Sequence, residues 1–213
     1  MRSSHVLWRF FLPIFLIVAF SSCCVFKIPM HGFWEKKVDV EPISRVVMTY
    51  ANKMRVEKSL RFEDSQVFYS DRADVIRIIF STQLILELKE ARELVVDLVE
   101  GLLAELNKDS IVTSQFQEGI VRPENIELYI SFESYFAEYI DQMYMSWVSM
   151  YEGVVRFYSA MLKDFRKDFW CDRAEPYYKS RQSVIYDREA RASYDAANPP
   201  RKEQLPVYDA LVE

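Results

Sequence analysis

The alternation of apolar and polar positions changes period several times along the chain, and each change marks an element. Behind Pro42, a residue suited to a first helical turn, Ile43, Val46, Val47, Tyr50 and Met54 recur at helical spacing. A helix is predicted over 42–58. Residues 60–69 read as a short strand. Residues 75–82, VIRIIFST, put Ile76, Ile78 and Phe80 on one side and are rich in branched and aromatic types, which predicts another strand. The strongest periodic signal spans 86–107. Leu88, Ala91, Val95, Leu98, Leu102 and Leu106 form a stripe widened by Leu94, Val99 and Leu103. Lys89, Glu90, Arg92, Glu93, Asp97 and Glu100 are expected to face away from it. Gly101 inside this helix costs about 1 kcal/mol against alanine, so a close approach to a sheet is expected there.

Residues 107–123 read as a loop closed by Pro123. After it Ile126, Leu128, Ile130 and Phe132 alternate with Glu127, Tyr129 and Ser131, the pattern of a strand with one buried and one wet face. Strands over 144–151 and 154–160 are predicted to meet in a hairpin at Glu152-Gly153. Tyr139, Met143 and Met150 also keep helical spacing, so a helix over 136–150 is the rival reading. The sum is an α+β fold: one small domain, 42–160, with a mainly antiparallel sheet packed by two helices. Residues 161–195 mix Phe165, Phe169 and Trp170 with Lys163, Arg166 and Lys167. Asp164, Asp168 and Asp172 nearly cancel the positive charge, which favours a helix or loop docked on the domain over one lying on a membrane. Glu175-Pro176 is expected to open a short helix holding Val184 and Ile185. With Pro199, Pro200 and Pro206, residues 196–213 read as a flexible tail.

The N-terminal stretch changes the picture of compartment. Arg2 and Arg9 precede an apolar run, 10–20, which ends at Ser21-Ser22-Cys23. A charged start, a short apolar run and small residues are the parts of a secretory signal. Phe20-Ser21-Ser22-Cys23 resembles the lipobox of bacterial lipoproteins, with Phe20 where that family usually has leucine. The resemblance implies cleavage after residue 22, a lipid on Cys23 and a tether over 23–41. It also implies sorting to the outer membrane, because Cys24 stands where an aspartate would retain such a protein at the inner membrane. The alternatives are an uncleaved anchor over 10–26, the lower limit of length for a span, and an ordinary cleaved signal. More than one acyl chain on Cys23 would hold the protein stably, at ~0.8 kcal/mol per buried methylene.

Charge and composition narrow the function. The chain has 27 basic and 32 acidic side chains, and loss of 1–22, which holds Arg2 and Arg9 and no acid, makes it two charges more negative. Nucleic-acid binding, which calls for a basic patch or stripe, is set aside. Gly32, Gly101, Gly119 and Gly153 are the four glycines, so no glycine-rich phosphate loop is possible. No cofactor is implied. Cys24 and Cys171 could form a disulfide in an oxidising compartment, but a buried, unpaired Cys171 in the setting Asp168-Phe169-Trp170-Cys171 is preferred.

Two histidines occur; beyond residue 22 there is His31, on the tether, a poor place for a catalytic base that must be held rigidly. A histidine-rich zinc site is excluded by count. Carboxylate chemistry stays open: Glu127 and Glu133 share a strand face by spacing, with Glu138 and Asp141 close in sequence, and two carboxylates with separated pKa values can run hydrolysis. The solvated-face reading of these acids is favoured. Tyr129, Tyr135, Tyr139, Tyr144 and Tyr151 could build a ligand-binding wall, or simply pack a sheet face.

Three stretches in order carry a resemblance for the body of the chain: Lys53-Met54-Arg55-Val56-Glu57-Lys58, Glu90-Ala91-Arg92-Glu93-Leu94-Val95 and Arg122-Pro123-Glu124-Asn125-Ile126-Glu127. Ahead of an alternating strand and a hairpin, they look like a family of small exported or lipid-anchored proteins of intracellular bacteria. The resemblance covers residues 43–160 and implies an α+β domain with its helix first. It brings no activity or site residues. The leading expectation is a non-enzymatic envelope lipoprotein that binds a protein partner through its sheet face or tail. The alternatives are an envelope hydrolase with paired carboxylates and an exported protein acting on a host.

Overall fold

The chain divides after Lys37, and the structure, a computed structural model, describes residues 38–133, 143–163 and 166–199. Helix α1 is Val40–Lys58. It begins two residues earlier than the sequence reading, inside the expected tether, because Asp39 accepts the Glu41 N–H through its side chain. Pro42 then lies in the first turn, where no N–H is needed. The helix ends at Ser59 in a left-handed conformation (φ 55°), whose N–H reaches back to the Met54 carbonyl.

Strands β1 (Arg61–Tyr69) and β2 (Ala73–Thr82) form a hairpin. Helix α2 (Leu88–Lys108) starts in a capping box, in which Glu90 accepts the Glu87 N–H. It carries the chain across to β3 (Ile126–Phe132), which pairs parallel with β2. Between them lie one short helix, α3 (Ser110–Thr113), and a 3-10 turn at Pro123–Asn125. The Asn107 side chain both donates to and accepts from the Val121 backbone, tying the ends of this loop together. Strands β4 (Met145–Tyr151), β5 (Val154–Lys163) and β6 (Arg166–Pro176) follow as antiparallel neighbours, giving one six-stranded sheet in sequence order. Helix α4 (Tyr177–Ala197) closes the described chain.

The ladder registers show why one face of the sheet is the core. Ile76 stands opposite Ile126, Ile78 opposite Leu128, Phe80 opposite Ile130, Ile130 opposite Val148 and Leu128 opposite Met150. Val148 and Met150 in turn meet Phe157 and Val155. All of these are buried. They pack beneath a helical layer in which α2 contacts both α1 and α4. At about 1.5–3 kcal/mol for each fully buried aliphatic or aromatic side chain, this one face supplies most of the sheet's share of the hydrophobic stabilisation.

Several expectations are met. The α+β class, the mainly antiparallel sheet, the two early helices and the hairpin near 144–160 are all present. The hairpin turn has positive φ at both Glu152 (50°) and Gly153 (69°), a type I′ geometry. Residues 145–151 are strand, not helix; 136–142, the rest of the rival reading, lies outside the described residues.

Three expectations are corrected. The domain does not stop at 160: β5 runs on to Lys163, and 166–176, expected as a docking helix or loop, is a sixth strand. A bulge explains the misreading, since Phe157 pairs with Arg173 and Tyr158 with Cys171, leaving Asp172 over and breaking the alternation along β6. The short helix expected near 184 is instead the 21-residue α4, and residues 196 and 197 of the expected tail belong to its last turn. It buries only Tyr177, Ser180 and Val184 and is held by ion pairs: Arg181 to Glu100, Arg188 to Glu93 and Asp97, Lys89 to Asp187. The polar side of α2 therefore meets α4. Finally, Gly101 approaches Tyr50 of α1, not the sheet: a Cβ there would lie 2.7 Å from the Tyr50 hydroxyl oxygen.

Candidate functional site

The second face of the sheet carries a different chemistry. Its rows across the strands are Gln66, Arg77 and Glu127; then Asp64, Ile79, Tyr129, Ser149 and Arg156; then Ser81, Ser131, Trp147 and Tyr158. Arg77 interrupts the apolar run of β2, and the parallel register sets Glu127 directly beside it. Its Nε donates to Glu127 Oε2 at 2.6 Å, and Glu127 is only 5 % exposed. The guanidinium lies 4.6 Å from the Phe68 ring centroid and 5.6 Å from that of Tyr129, both within cation–π range. Tyr129 and Trp147 follow at 6.0 Å between ring centroids with a 45° tilt.

These groups are electrostatically connected. The hydrogen bond to Glu127 raises the Arg77 pKa, fixing its charge more firmly. Burial, then the Glu127 charge, raises the Tyr129 phenol, while Arg77 and Arg156 pull it the other way. Tyr151, at the rim, is raised first by its hydrogen bond to Glu152. Arg156 is half-buried and makes no ion pair among the described residues. The face thus holds two guanidiniums, that of Arg77 held and neutralised by Glu127, among partly exposed aromatic rings.

No family model, curated protein or solved structure matches the chain. What the face can do follows from its own chemistry. Tyrosine, tryptophan and arginine are the types over-represented among the residues that dominate protein interfaces.

The expected carboxylate pair is arranged differently from a hydrolytic one. Glu127 and Glu133 do share a face, but Glu127 is bound to an arginine. Glu133 is reached by Arg61 Nη2 at 3.4 Å, and the same Arg61 donates through Nε to Glu63. Glu133 and Arg61 border a depression of about 390 Å³ beside Ser81 and Thr82, and Glu63 is joined to it through Arg61 and the Ser81 hydroxyl. A hydrolytic acid needs a raised pKa. Glu63 moves the other way, held down by the Ser81 hydroxyl and then by Arg61. Glu138 and Asp141 lie outside the described residues.

Of the tyrosine wall, Tyr129 and Tyr151 are on this face, Tyr144 is half-buried just before β4, and Tyr135 and Tyr139 are not among the described residues. His31, Cys24 and the expected lipidation residue Cys23 lie outside them as well. Cys171 is exposed, not buried, because β6 is the edge strand. Among the described residues no cluster of His, Cys, Asp or Glu could hold a metal, and no helix is long and apolar enough to cross a membrane.

Phe68, Arg77, Trp147 and Arg156 were not legible as site residues. One signal was available: a lone arginine inside the branched run Val75-Ile76-Arg77-Ile78-Ile79 must leave the core face, and Glu127 occupies the matching place in the next strand.

Proposed function

We infer that the protein is a non-enzymatic, membrane-anchored component of a bacterial envelope that binds a partner protein on the sheet face opposite its helices. The lipid on Cys23 holds it in the membrane, and the outer membrane is the site favoured by Cys24. The observation that carries the reading is the Arg77 guanidinium, held by Glu127 and flanked by Phe68 and Tyr129, with Trp147 and Arg156 on the same face. A partner surface offering carboxylates to the two arginines and apolar groups to the rings complements it. Arg77, Tyr129 and Trp147 are already held by one another and by Glu127, so little ordering of these side chains opposes binding.

The test is site-specific photo-crosslinking in the native bacterium, with the reactive residue at Ile79 or, as a control, at Ile185 on α4. A discrete adduct from position 79 alone, lost when Arg77→Glu is added, is expected. Charge reversal at an interface arginine of this kind costs at least about 2 kcal/mol, or roughly thirtyfold in affinity. Equal adducts from both positions, or an adduct indifferent to Arg77→Glu, would contradict the reading. Incorporation of labelled fatty acid that is lost with Cys23→Ser but kept with Cys24→Ser is the parallel test of the anchor.

A further inference from the structure

On the opposite side of the sheet, where β6, α2 and the first turns of α4 meet, lies a cavity of about 540 Å³ bordered by Arg92, Arg173, Glu175, Lys179, Gln182 and Ser183. Glu175 is 6 % exposed, and every acceptor site of its carboxylate is occupied. Oε1 accepts from Arg92 Nε at 2.7 Å and from the Ser180 hydroxyl at 2.7 Å. Oε2 accepts from Arg92 Nη2 at 3.3 Å and from Arg173 Nε at 2.6 Å. A carboxylate offers about four lone-pair positions, so this one has no capacity left.

The consequence is a surplus of fixed donors. Two guanidiniums are locked in place by a single acid, and Arg92 is further held 5.8 Å from the Phe157 ring centroid. Arg92 Nη1 and both Nη atoms of Arg173 have no partner among the described residues, and neither do Lys179, Gln182 and Ser183. The other acid at the cavity, Asp187, is paired with Lys89 at 3.3 Å. Arg92, Arg173 and Lys179 against Glu175, with Asp187 paired to Lys89, leave the cavity positively charged in a protein whose net charge is −5.

We propose that this cavity is an anion site for a phosphate group, either free or as the phosphate of an ester such as a lipid headgroup. A planar carboxylate is satisfied by one guanidinium fork. Here donors come from two guanidiniums, an ammonium, an amide and a hydroxyl, from several directions, which suits a tetrahedral oxyanion. The volume lies in the range of small-molecule sites, leaving room for a group attached to the phosphate.

The test uses the full chain in a non-ionic detergent and follows the arginine Nε–H resonances while adding inorganic phosphate, glycerol 3-phosphate or dihexanoyl phosphatidic acid. Saturable shifts of Arg92 and Arg173 are expected. Similar affinity for all three would identify the phosphate alone as the ligand, and tighter binding of the phosphatidic acid would identify a lipid headgroup. Lys179→Gln, which breaks no hydrogen bond or ion pair among the described residues, should weaken binding about tenfold, the loss of one charge-assisted hydrogen bond, and Arg173→Gln by at least as much. Absence of saturable shifts with every probe would overturn the proposal. So would binding indifferent to Lys179→Gln, or shifts confined to Arg77 and Arg156 of the sheet face.

Discussion

Replacing Gly101 by alanine separates two opposed effects whose sizes the structure sets. In a helix interior alanine is favoured over glycine by about 1 kcal/mol, so if Gly101 had no neighbour the substitution would stabilise the protein. The new Cβ would instead stand 2.7 Å from the Tyr50 hydroxyl oxygen and 3.2–3.3 Å from two ring carbons. Tyr50 is 3 % exposed and its hydroxyl donates to the Leu98 carbonyl at 2.9 Å, so the ring has no room to yield without giving up that bond. Overpacking of a tight core costs about 1–3 kcal/mol, and a buried hydroxyl left without its acceptor about 1–3 kcal/mol more. After subtracting the helical gain, the expected net loss is about 3 kcal/mol. Urea unfolding followed by tryptophan fluorescence reads it as a lower midpoint at unchanged slope. In Tyr50→Phe/Gly101→Ala the 2.7 Å contact is gone, so the double variant should be more stable than the sum of the single changes implies, with a coupling of about 1 kcal/mol. A Gly101→Ala protein that is more stable than the parent would refute the packing described for α1 against α2.

Other expected outcomes follow from local geometry. Burial alone would raise the Glu175 pKa, but the bonds from Arg92, Ser180 and Arg173 together outweigh it and hold the group below its ordinary 4.5. The stability it contributes is therefore present above the unfolded value and lost as pH falls through the lower folded one. Glu175→Gln should cost about 3 kcal/mol at neutral pH by leaving Arg92 unmatched in a site where it is 12 % exposed. The variant should also lose less further stability than the parent on acidification below about pH 4.5 in thermal scans. Glu152→Asn places a residue tolerant of positive φ at the first turn position of the β4–β5 hairpin and should raise stability by about 0.5–1 kcal/mol in the same unfolding assay.

The elements that the sequence declared were those with an uninterrupted period: the α2 stripe is the helix's buried side, and the β2 run and the alternation of β3 survive in the ladder registers. What it concealed has physical causes. Strand β6 was obscured by the bulge at Asp172 and by edge polarity. Helix α4 was obscured because ion pairs with Glu93, Asp97 and Glu100 replace most of its apolar contact. Those α2 residues looked solvent-facing for the same reason, since a charge facing a charged helix and a charge facing water read alike in one sequence. The candidate face was half-legible. Tyr129, Tyr151 and Glu127 could be placed on the second side of the sheet by alternation, whereas the union of Arg77 with Glu127 needed the parallel register of β2 and β3, which no local pattern specifies.

Hydroxyl-radical footprinting of the protein in intact cells, compared with the purified full chain, tests most directly whether the sheet face opposite the helices is the working surface. Trp147 and Tyr151 on the face report binding, and Trp170 and Tyr178, 62 % and 63 % exposed elsewhere, serve as internal controls. Trp147 and Tyr151 are expected to be protected in cells and to regain their purified reactivity with Arg77→Glu, while Trp170 and Tyr178 stay unchanged. Equal reactivity of Trp147 in cells and in the purified protein, or protection confined to Trp170 and Tyr178, would contradict it.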